Sequence, residues 1–235
     1  MKQSKNSKKL SIIIPVLNEE EYVSTLLFHL KKACTERTLE IIVVDGGSTD
    51  RTVDLAEQSG VKVHRSKRGR ASQMNYGAQK ATGEILYFLH VDTFPPVNFE
   101  TAILEAVKAG DAAGCFQMRF DNNSKFLNFF AWFTRVNHRL CRGGDQSLFI
   151  TRELFGRSGG FDENYQVYED TEFISRIYKL GGFKILPQVV ITSARKYKHN
   201  GTLRLQYHFS VIHIKRMFGA GPQKLHKYYS RHIAT

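Results

Sequence analysis

The sequence predicts an α/β fold built on a mostly parallel sheet flanked by helices, and two observations carry that prediction. Strand-length segments recur at Leu10–Val16, a continuous apolar run, at Glu40–Val44, at the short Val61–His64 and at Glu84–Leu89. Strands that are apolar on both faces belong to parallel sheets covered on both sides. Each run is followed by a segment of helical character, and strand–helix alternation with right-handed crossovers gives a doubly wound sheet. Ligands of such sheets bind at the carboxyl ends of the strands.

The elements follow in order. Within Glu20–Ala33, Tyr22, Val23, Leu26, Leu27 and Leu30 share one helix face, with Asn18 as the N-cap. Glu40–Val44 ends at Asp45-Gly46-Gly47, and Ser48 or Thr49 caps a helix running to Gln58. Ala71–Ala81 is the helix before the fourth strand. Pro95-Pro96 then breaks the chain, and the pattern becomes more mixed. Helices are expected over Val97–Lys108, Ser124–Leu140 (with a wide aromatic face) and Glu169–Leu180. Strands are expected at Ala112–Phe120, Gln146–Thr151, Phe183–Leu186 and Val189–Thr192. No repeat, low-complexity block or linker divides the chain.

Composition bounds the function. With 235 residues, 42% hydrophobic and 24% charged, the chain is an ordinary globular protein, which excludes disorder, collagen and coiled coil as overall descriptions. The net charge of +12 lies at the ends: residues 1–9 hold four lysines, residues 195–235 hold nine Lys/Arg and no acid, and residues 10–194 hold 21 Lys/Arg against 22 Asp/Glu. Basic ends attract phosphates of nucleotides, nucleic acid or anionic lipid, or are simply solvated tails. Cys34, Cys115 and Cys141 form no Cys-x-x-Cys pair, which argues against a structural zinc site and suits a reducing compartment. No run approaches the roughly 20 apolar residues needed to span a bilayer. The basic N-terminus precedes too short an apolar run for a secretory signal. A cytoplasmic protein is expected, with the inner face of the membrane included.

Three polar clusters end strands: Asn18-Glu19, Asp45-Gly46-Gly47 and His90-Val91-Asp92. Glycines let backbone approach a ligand, and a carboxylate accepts from a base or ribose; the same residues also make a capped turn. Lys67-Arg68-Gly69-Arg70 feeds a helix N-terminus, as a diphosphate cradle or an exposed loop. Gln73, Asn75 and Gly77 are poor core residues and suit a polar pocket. His90 and Asp92 point the same way by strand periodicity and suit a divalent cation or a capped strand end. Glu169-Asp170-x-Glu172 opens a helix, where acids complement the dipole or supply a general base. Neither Gly-x-Gly-x-x-Gly after a strand, nor a Walker A sequence, nor a nucleophile elbow is present.

Taken together, these segments resemble the family 2 glycosyltransferases, which have the GT-A fold. The residues are Ser11-Ile-Ile-Ile-Pro15-Val-Leu-Asn18-Glu19-Glu20, Val43-Val-Asp45-Gly-Gly-Ser48-Thr-Asp50, Gly69-Arg70-Ala-x-Gln73-x-Asn75-x-Gly77, Ala81-Thr-Gly83-Glu84, Leu89-His90-Val91-Asp92-Thr93, Gly144-Asp145-Gln146, Gly159-Gly160-Phe161-Asp162 and Glu169-Asp170. The match covers about residues 10–195 and looks like a bacterial subgroup with His-x-Asp in place of Asp-x-Asp. It implies residues 10–200 as the GT-A domain, split into a nucleotide-binding half (10–95) and an acceptor half (96–200). A basic disordered N-terminus (1–9) and a basic helical extension (201–235) flank it.

The resemblance also implies roles. Glu19 and Asp45 hold the nucleoside, Arg70 reaches the donor diphosphate, Asp92 binds ribose and metal, and Asp170 is the catalytic base. Pro15, Asn18, Gly46, Gly47, Asn75, His90, Gly144, Asp145, Gln146 and Glu169 complete the substrate site. The implied cofactor is a divalent cation, Mn²⁺ or Mg²⁺, with His199 as a further ligand. His90 departs from the family by replacing an anionic ligand with a neutral one. The implied reaction moves a sugar from a nucleotide sugar, UDP favoured, to an acceptor hydroxyl (a lipid-linked one included) with inversion. Phe126–Phe133 is read as core or dimer interface. Leu203–Phe218 is read as an amphipathic helix touching anionic lipid through Arg204, Lys215 and Arg216. The alternatives are a non-catalytic nucleotide-sugar-binding protein of this fold and a basic protein binding nucleic acid or anionic membrane; no specific nucleic-acid partner is expected.

Overall fold

The computed structural model describes residues 9–34 and 39–233, so the basic N-terminal segment falls, but for Lys9, outside the described residues. The first half comprises β1 (Leu10–Val16), α1 (Val23–Ala33), β2 (Leu39–Asp45), α2 (Thr52–Gln58), β3 (Val63–Arg65), α3 (Arg70–Lys80) and β4 (Ile85–Phe88). The second comprises β5 (Thr93–Phe94), α4 (Phe99–Lys108), β6 (Ala113–Phe120), α5 (Lys125–Trp132), β7 (Leu148–Thr151), α6 (Arg152–Ser158), α7 (Glu169–Leu180) and β8 (Lys184–Thr192). Three helices follow: α8 (Arg195–Asn200), α9 (Thr202–Met217) and α10 (Pro222–His232).

One eight-stranded sheet runs through both halves in the order β3-β2-β1-β4-β7-β6-β8-β5. The pairs β1–β2, β1–β4 and β2–β3 are parallel, as the fully apolar strands predict. Beyond β4 the sheet is mixed: β7 runs antiparallel to β4 and β6, while β6 and β8 are parallel.

The alternation along β1 shows why its run is uninterrupted. Ile12, Ile14 and Val16 enter a core with Leu26, Leu27 and Leu30 of α1 and Phe99 and Ile103 of α4. Ile13 enters the opposite core with Met74 and Ala78 of α3 and Phe173, Ile174 and Ile177 of α7. Each fully buried side chain of this size contributes about 1.5–3 kcal/mol.

Several local expectations are corrected. α1 begins at Val23, not Glu20: residues 20–22 form a turn whose first accepting carbonyl is that of Glu19, and Asn18 stands at φ 54° outside the helix. The helix expected over Ser124–Leu140 stops at Trp132 and gives way to 3-10 turns at Phe133–Arg135 and Arg139–Cys141. The buried Arg142 guanidinium takes the carbonyls of Thr134 and Val136, which a continuing helix needs for itself. Of the aromatic stretch, Leu127 and Ala131 are buried while Phe129 and Trp132 are exposed. The two late strands are one, β8; its register against β6 shifts from Phe116↔Leu186 to Gln117↔Val189, bulging out Pro187 and Gln188 where proline has no amide to pair. Gly77, read as suited to a polar pocket, is packed against Ile13 and Val44 of the sheet. It is where α3 rests on the sheet: a Cβ there would lie 2.4 Å from Ile13 Cγ2.

Helices α9 and α10 pack together around Leu205, Ile212 and Leu225, with Tyr165 of the body. Among the described residues, no helix is long and apolar enough to cross a membrane.

Candidate active site

A cavity of about 760 Å³ opens at the carboxyl ends of β1 and β4. β1 and the turn after it supply Pro15, Val16 and Glu19; the loop into α3 and its first turn supply Arg68, Gly69, Arg70 and Gln73. His90 and Asp92 follow β4, and Asp145 comes from the 3-10 turn Gly144–Gln146. Glu169 and Asp170 are the first residues of α7, placed by Tyr168, whose left-handed φ of 74° turns the chain into the helix. The buried Gln73 amide donates to the Val16 and Val44 carbonyls, each at 2.8 Å, and so ties α3 to the ends of β1 and β2.

Charges of both signs meet here. Arg70 Nη1 lies 3.0 Å from Glu169 Oε1 and 3.9 Å from Asp170 Oδ2. His90 stands between two carboxylates, with Nε2 3.5 Å from Asp170 Oδ2 and Nδ1 3.6 Å from Asp145 Oδ1. Burial and the Arg70 charge work against a protonated imidazole, but Asp145 and Asp170 outweigh them and push its pKa up to about 9. The two carboxylates thus favour the protonated imidazole. Burial pushes the Glu169 carboxyl up, with Asp170 adding to the shift and Arg70 opposing it.

Arg195, which the sequence reading missed, makes the second charge cluster. Its Nη1 and Nη2 donate to the two Glu19 oxygens at 2.6 and 2.7 Å, and its Nε donates to Asp92 Oδ2 at 3.0 Å. The guanidinium also stacks on Tyr22, 4.4 Å from the ring centroid. The signal was available: Arg195 follows the end of β8, where the strand-end rule applies as it does to Asp92.

The cavity thus gathers Pro15, Glu19, Arg70, His90, Asp92, Asp145, Glu169 and Asp170. Other expected site residues shape its surroundings. Asp45 is buried, and its carboxylate accepts the amides of Gly47 and Ser48 at 3.0 Å each. Asn18 clamps two strand-end loops, its amide donating to Ser48 Oγ and its Oδ1 accepting from the Thr49 amide, both at 2.9 Å. Gly46 passes the Gln73 side chain, which a Cβ would meet at 3.0 Å, and Gly47 takes φ 98°. Asn75 holds the later glycine turn, bonding the Phe161 amide and carbonyl at 2.9 Å each. Gln146 is buried and donates to the Cys141 carbonyl at 2.8 Å; Gly144 opens the 3-10 turn bearing Asp145. His199 is exposed on α8, outside the cavity lining.

Among the described residues, no three His, Cys, Asp or Glu side chains converge as a cation site. A donor set of Asp92 completed by phosphate oxygens and water fits a hard cation such as Mg²⁺ or Mn²⁺, which is commonly held by one or two carboxylates and a substrate's phosphates. Arg195 competes for that carboxylate.

The chain is similar to known proteins in sequence and in fold. The chain is 27% identical over 212 residues to the dolichol-phosphate mannosyltransferase of Pyrococcus furiosus, covering 86% of this chain and 57% of that one. It spans roughly half to two thirds of the length of the curated relatives it matches. Its fold superposes on the mannosyltransferase PcManGT from Pyrobaculum calidifontis, solved with GDP-Man and Mn²⁺, at a TM-score of 0.72 and 20% identity, covering 96% of this chain and 70% of that one. It also superposes on S. aureus TarS, solved with UDP-GlcNAc, at 0.67 and 21% identity, covering 79% and 58%. These superpositions show a GT-A fold. The family model described as "Glycosyl transferase family 2" matches residues 11–166, and the chain belongs to that family.

Proposed function

We propose that the chain transfers a sugar from a nucleoside-diphosphate sugar, a UDP-sugar by preference, to an acceptor hydroxyl with inversion. The observation that carries this reading is the start of α7, where Asp170 faces the cavity beside two cations, Arg70 and His90. Asp170 takes the proton of the acceptor hydroxyl, whose oxygen attacks the anomeric carbon opposite the leaving diphosphate. The bond to the diphosphate breaks, and Arg70 meets the negative charge growing there. Glu169, buried against Arg70, positions that guanidinium. Residues 10–95 supply the donor side and residues 96–200 the acceptor side.

Asp92 is the residue to hold a divalent cation, Mn²⁺ or Mg²⁺, together with the donor's phosphates; such a cation supplies Lewis-acid stabilisation of the leaving diphosphate. The PcManGT complex with Mn²⁺ supports this reading. A lipid-linked acceptor is supported by the relative named for dolichol phosphate. Contact with anionic membrane is supported by α9, which exposes Leu203, Tyr207, Ile214 and Met217 along one side, next to Lys215 and Arg216.

The test is calorimetric titration of UDP, GDP and dTDP, each with and without Mn²⁺. The expected result is UDP binding strengthened by Mn²⁺. Failure of all three to bind with the metal present would overturn the reading in favour of a phosphate-polymer partner at the basic tail.

A further inference from the structure

We propose that α9 and α10 form the acceptor wall of the cavity and recognise a compact, ring-bearing alcohol. The inference rests on the glycosyl-transfer reading above and names its acceptor class. Leu205 of α9 and Leu225 of α10 hold the pair together. Phe209 and His213 of α9, and His226 and Tyr229 of α10, reach the cavity. The basic extension is therefore part of the site's own surface.

The wall stands beside the reacting carboxylate. Tyr168, two residues before Asp170, has its hydroxyl 3.1 Å from His213 Nδ1 and its ring edge-on to that imidazole at 5.0 Å between centroids. This contact fixes α9 against the turn that aims Asp170. The acceptor hydroxyl gives its proton to Asp170, so the acceptor must lie on this side.

Its chemistry differs from that of the rest of the cavity. Residues 195–235 contain no Asp or Glu, so α9 and α10 bring rings and hydrogen-bonding groups without carboxylates. Tyr168 and Tyr197 of the body extend the same ring-lined surface. Such surfaces stack on flat or C–H-rich rings, while imidazole and phenol groups bond to hydroxyls. The volume bounds the size. About 760 Å³ lies within the range of a single small-molecule site; on the glycosyl-transfer reading, donor and acceptor would share it. That leaves room for a single-ring or two-ring moiety.

The test uses the full chain with p-nitrophenyl β-D-glucopyranoside as the ring-bearing probe and glycerol as the acyclic comparison. Probe affinity is read by saturation-transfer NMR on the nucleotide-free protein, and UDP affinity separately by calorimetry. The expected result is probe binding that Tyr229→Ala weakens about five- to tenfold and Tyr229→Phe largely preserves, with UDP affinity within about twofold of the parent. His226→Ala is expected to weaken the probe about threefold and serves should Tyr229→Ala fail to fold. The proposal is overturned if the probe does not bind, if glycerol binds as well, if both Ala variants leave probe affinity unchanged, or if they weaken UDP by the same factor. Loss of UDP binding by the parent protein instead strikes the glycosyl-transfer reading, and the nucleotide-free measurement keeps the two failures apart.

Discussion

Arg195 Nε stands 3.0 Å from Asp92 Oδ2 while the same guanidinium grips both oxygens of Glu19. One cation thus bridges the two acids at the ends of β1 and β4. On the proposed reading, a divalent ion held by Asp92 would compete with it for that carboxylate. Arg195→Gln is therefore expected to tighten Mn²⁺ binding about five- to tenfold in the presence of UDP, because a neutral amide competes far less for a carboxylate. It should also lower thermal stability, since two partly buried carboxylates lose their partner. Calorimetric titration of Mn²⁺ at saturating UDP checks this. Unchanged affinity would show that Arg195 and the cation do not share Asp92.

His90 lies between Asp145 and Asp170, and its imidazole is within 3.6 Å of both carboxylates. The substitution H90D sets a carboxylate against two others. It should cost about 3–5 kcal/mol of stability at pH 7 without a divalent cation, the range for breaking a buried ion pair. Mn²⁺ should restore part of that loss, because a ligand bound only by the native state raises its stability. Melting temperatures with and without Mn²⁺ measure both effects. A variant as stable as the parent in chelator would refute the pairing.

The role we propose for Asp170 is different, that of proton acceptor. Asp170→Asn keeps the shape and removes the basic oxygen. Transfer should fall about 10²- to 10⁴-fold, the usual contribution of a general base, with UDP affinity nearly unchanged. Single-turnover transfer measured beside UDP calorimetry separates the two quantities. Retained transfer would assign the base elsewhere and favour a scaffold role for Asp170.

The sequence exposes what depends on local pattern. Fully apolar runs revealed β1, β2 and β4, and polar residues just beyond them located Glu19, His90 and Asp92 at the cavity. It concealed what depends on partners distant in the chain. Arg142 is a basic residue amid basic residues until its guanidinium caps the carbonyls of Thr134 and Val136 and ends a helix. Arg195 lies 176 positions from Glu19, and no spacing rule joins them. Asn18, Asp45 and Asn75 sit inside family motifs, yet their side chains bond to loop backbone and not into the cavity. A motif records that a residue type is needed at a position; it does not distinguish holding a ligand from holding the loop that meets it.

Gly77 illustrates the same distinction in the core. It lies in a polar stretch of α3, but a Cβ there would stand 2.4 Å from Ile13 Cγ2 and 3.1 Å from Val44 Cγ2. Alanine gains about 1 kcal/mol in helix propensity. Overpacking against β1 costs about 1–3 kcal/mol or more, because a methyl group cannot be absorbed where helix and sheet are already in contact. Gly77→Ala should therefore lower the urea midpoint, with a net loss of up to about 2 kcal/mol. A raised midpoint would mean that α3 can lift off the sheet at no cost.

Ser11 and Glu40 lock the first two strands at the end of the sheet away from the site. Ser11 Oγ donates to Glu40 Oε2 at 2.5 Å and accepts from the Gly83 amide at 2.9 Å; the same Glu40 oxygen accepts the Thr82 amide at 2.7 Å. Burial works to raise the Glu40 pKa, but these hydrogen bonds and Lys9 outweigh it and hold the carboxyl below its ordinary value near 4.5. A depressed folded-state pKa stabilises the protein above the unfolded-state value, and the contribution disappears as pH falls through the folded-state value. Glu40→Gln should therefore be less stable than the parent at pH 7. The gap should narrow steadily below about pH 4.5, as the parent's carboxyl takes up the proton that ends its advantage. Urea unfolding of both proteins at pH 7, 5, 4 and 3 measures the gap. A difference that stays constant across that range would show that the strand lock does not depend on the ionised carboxylate.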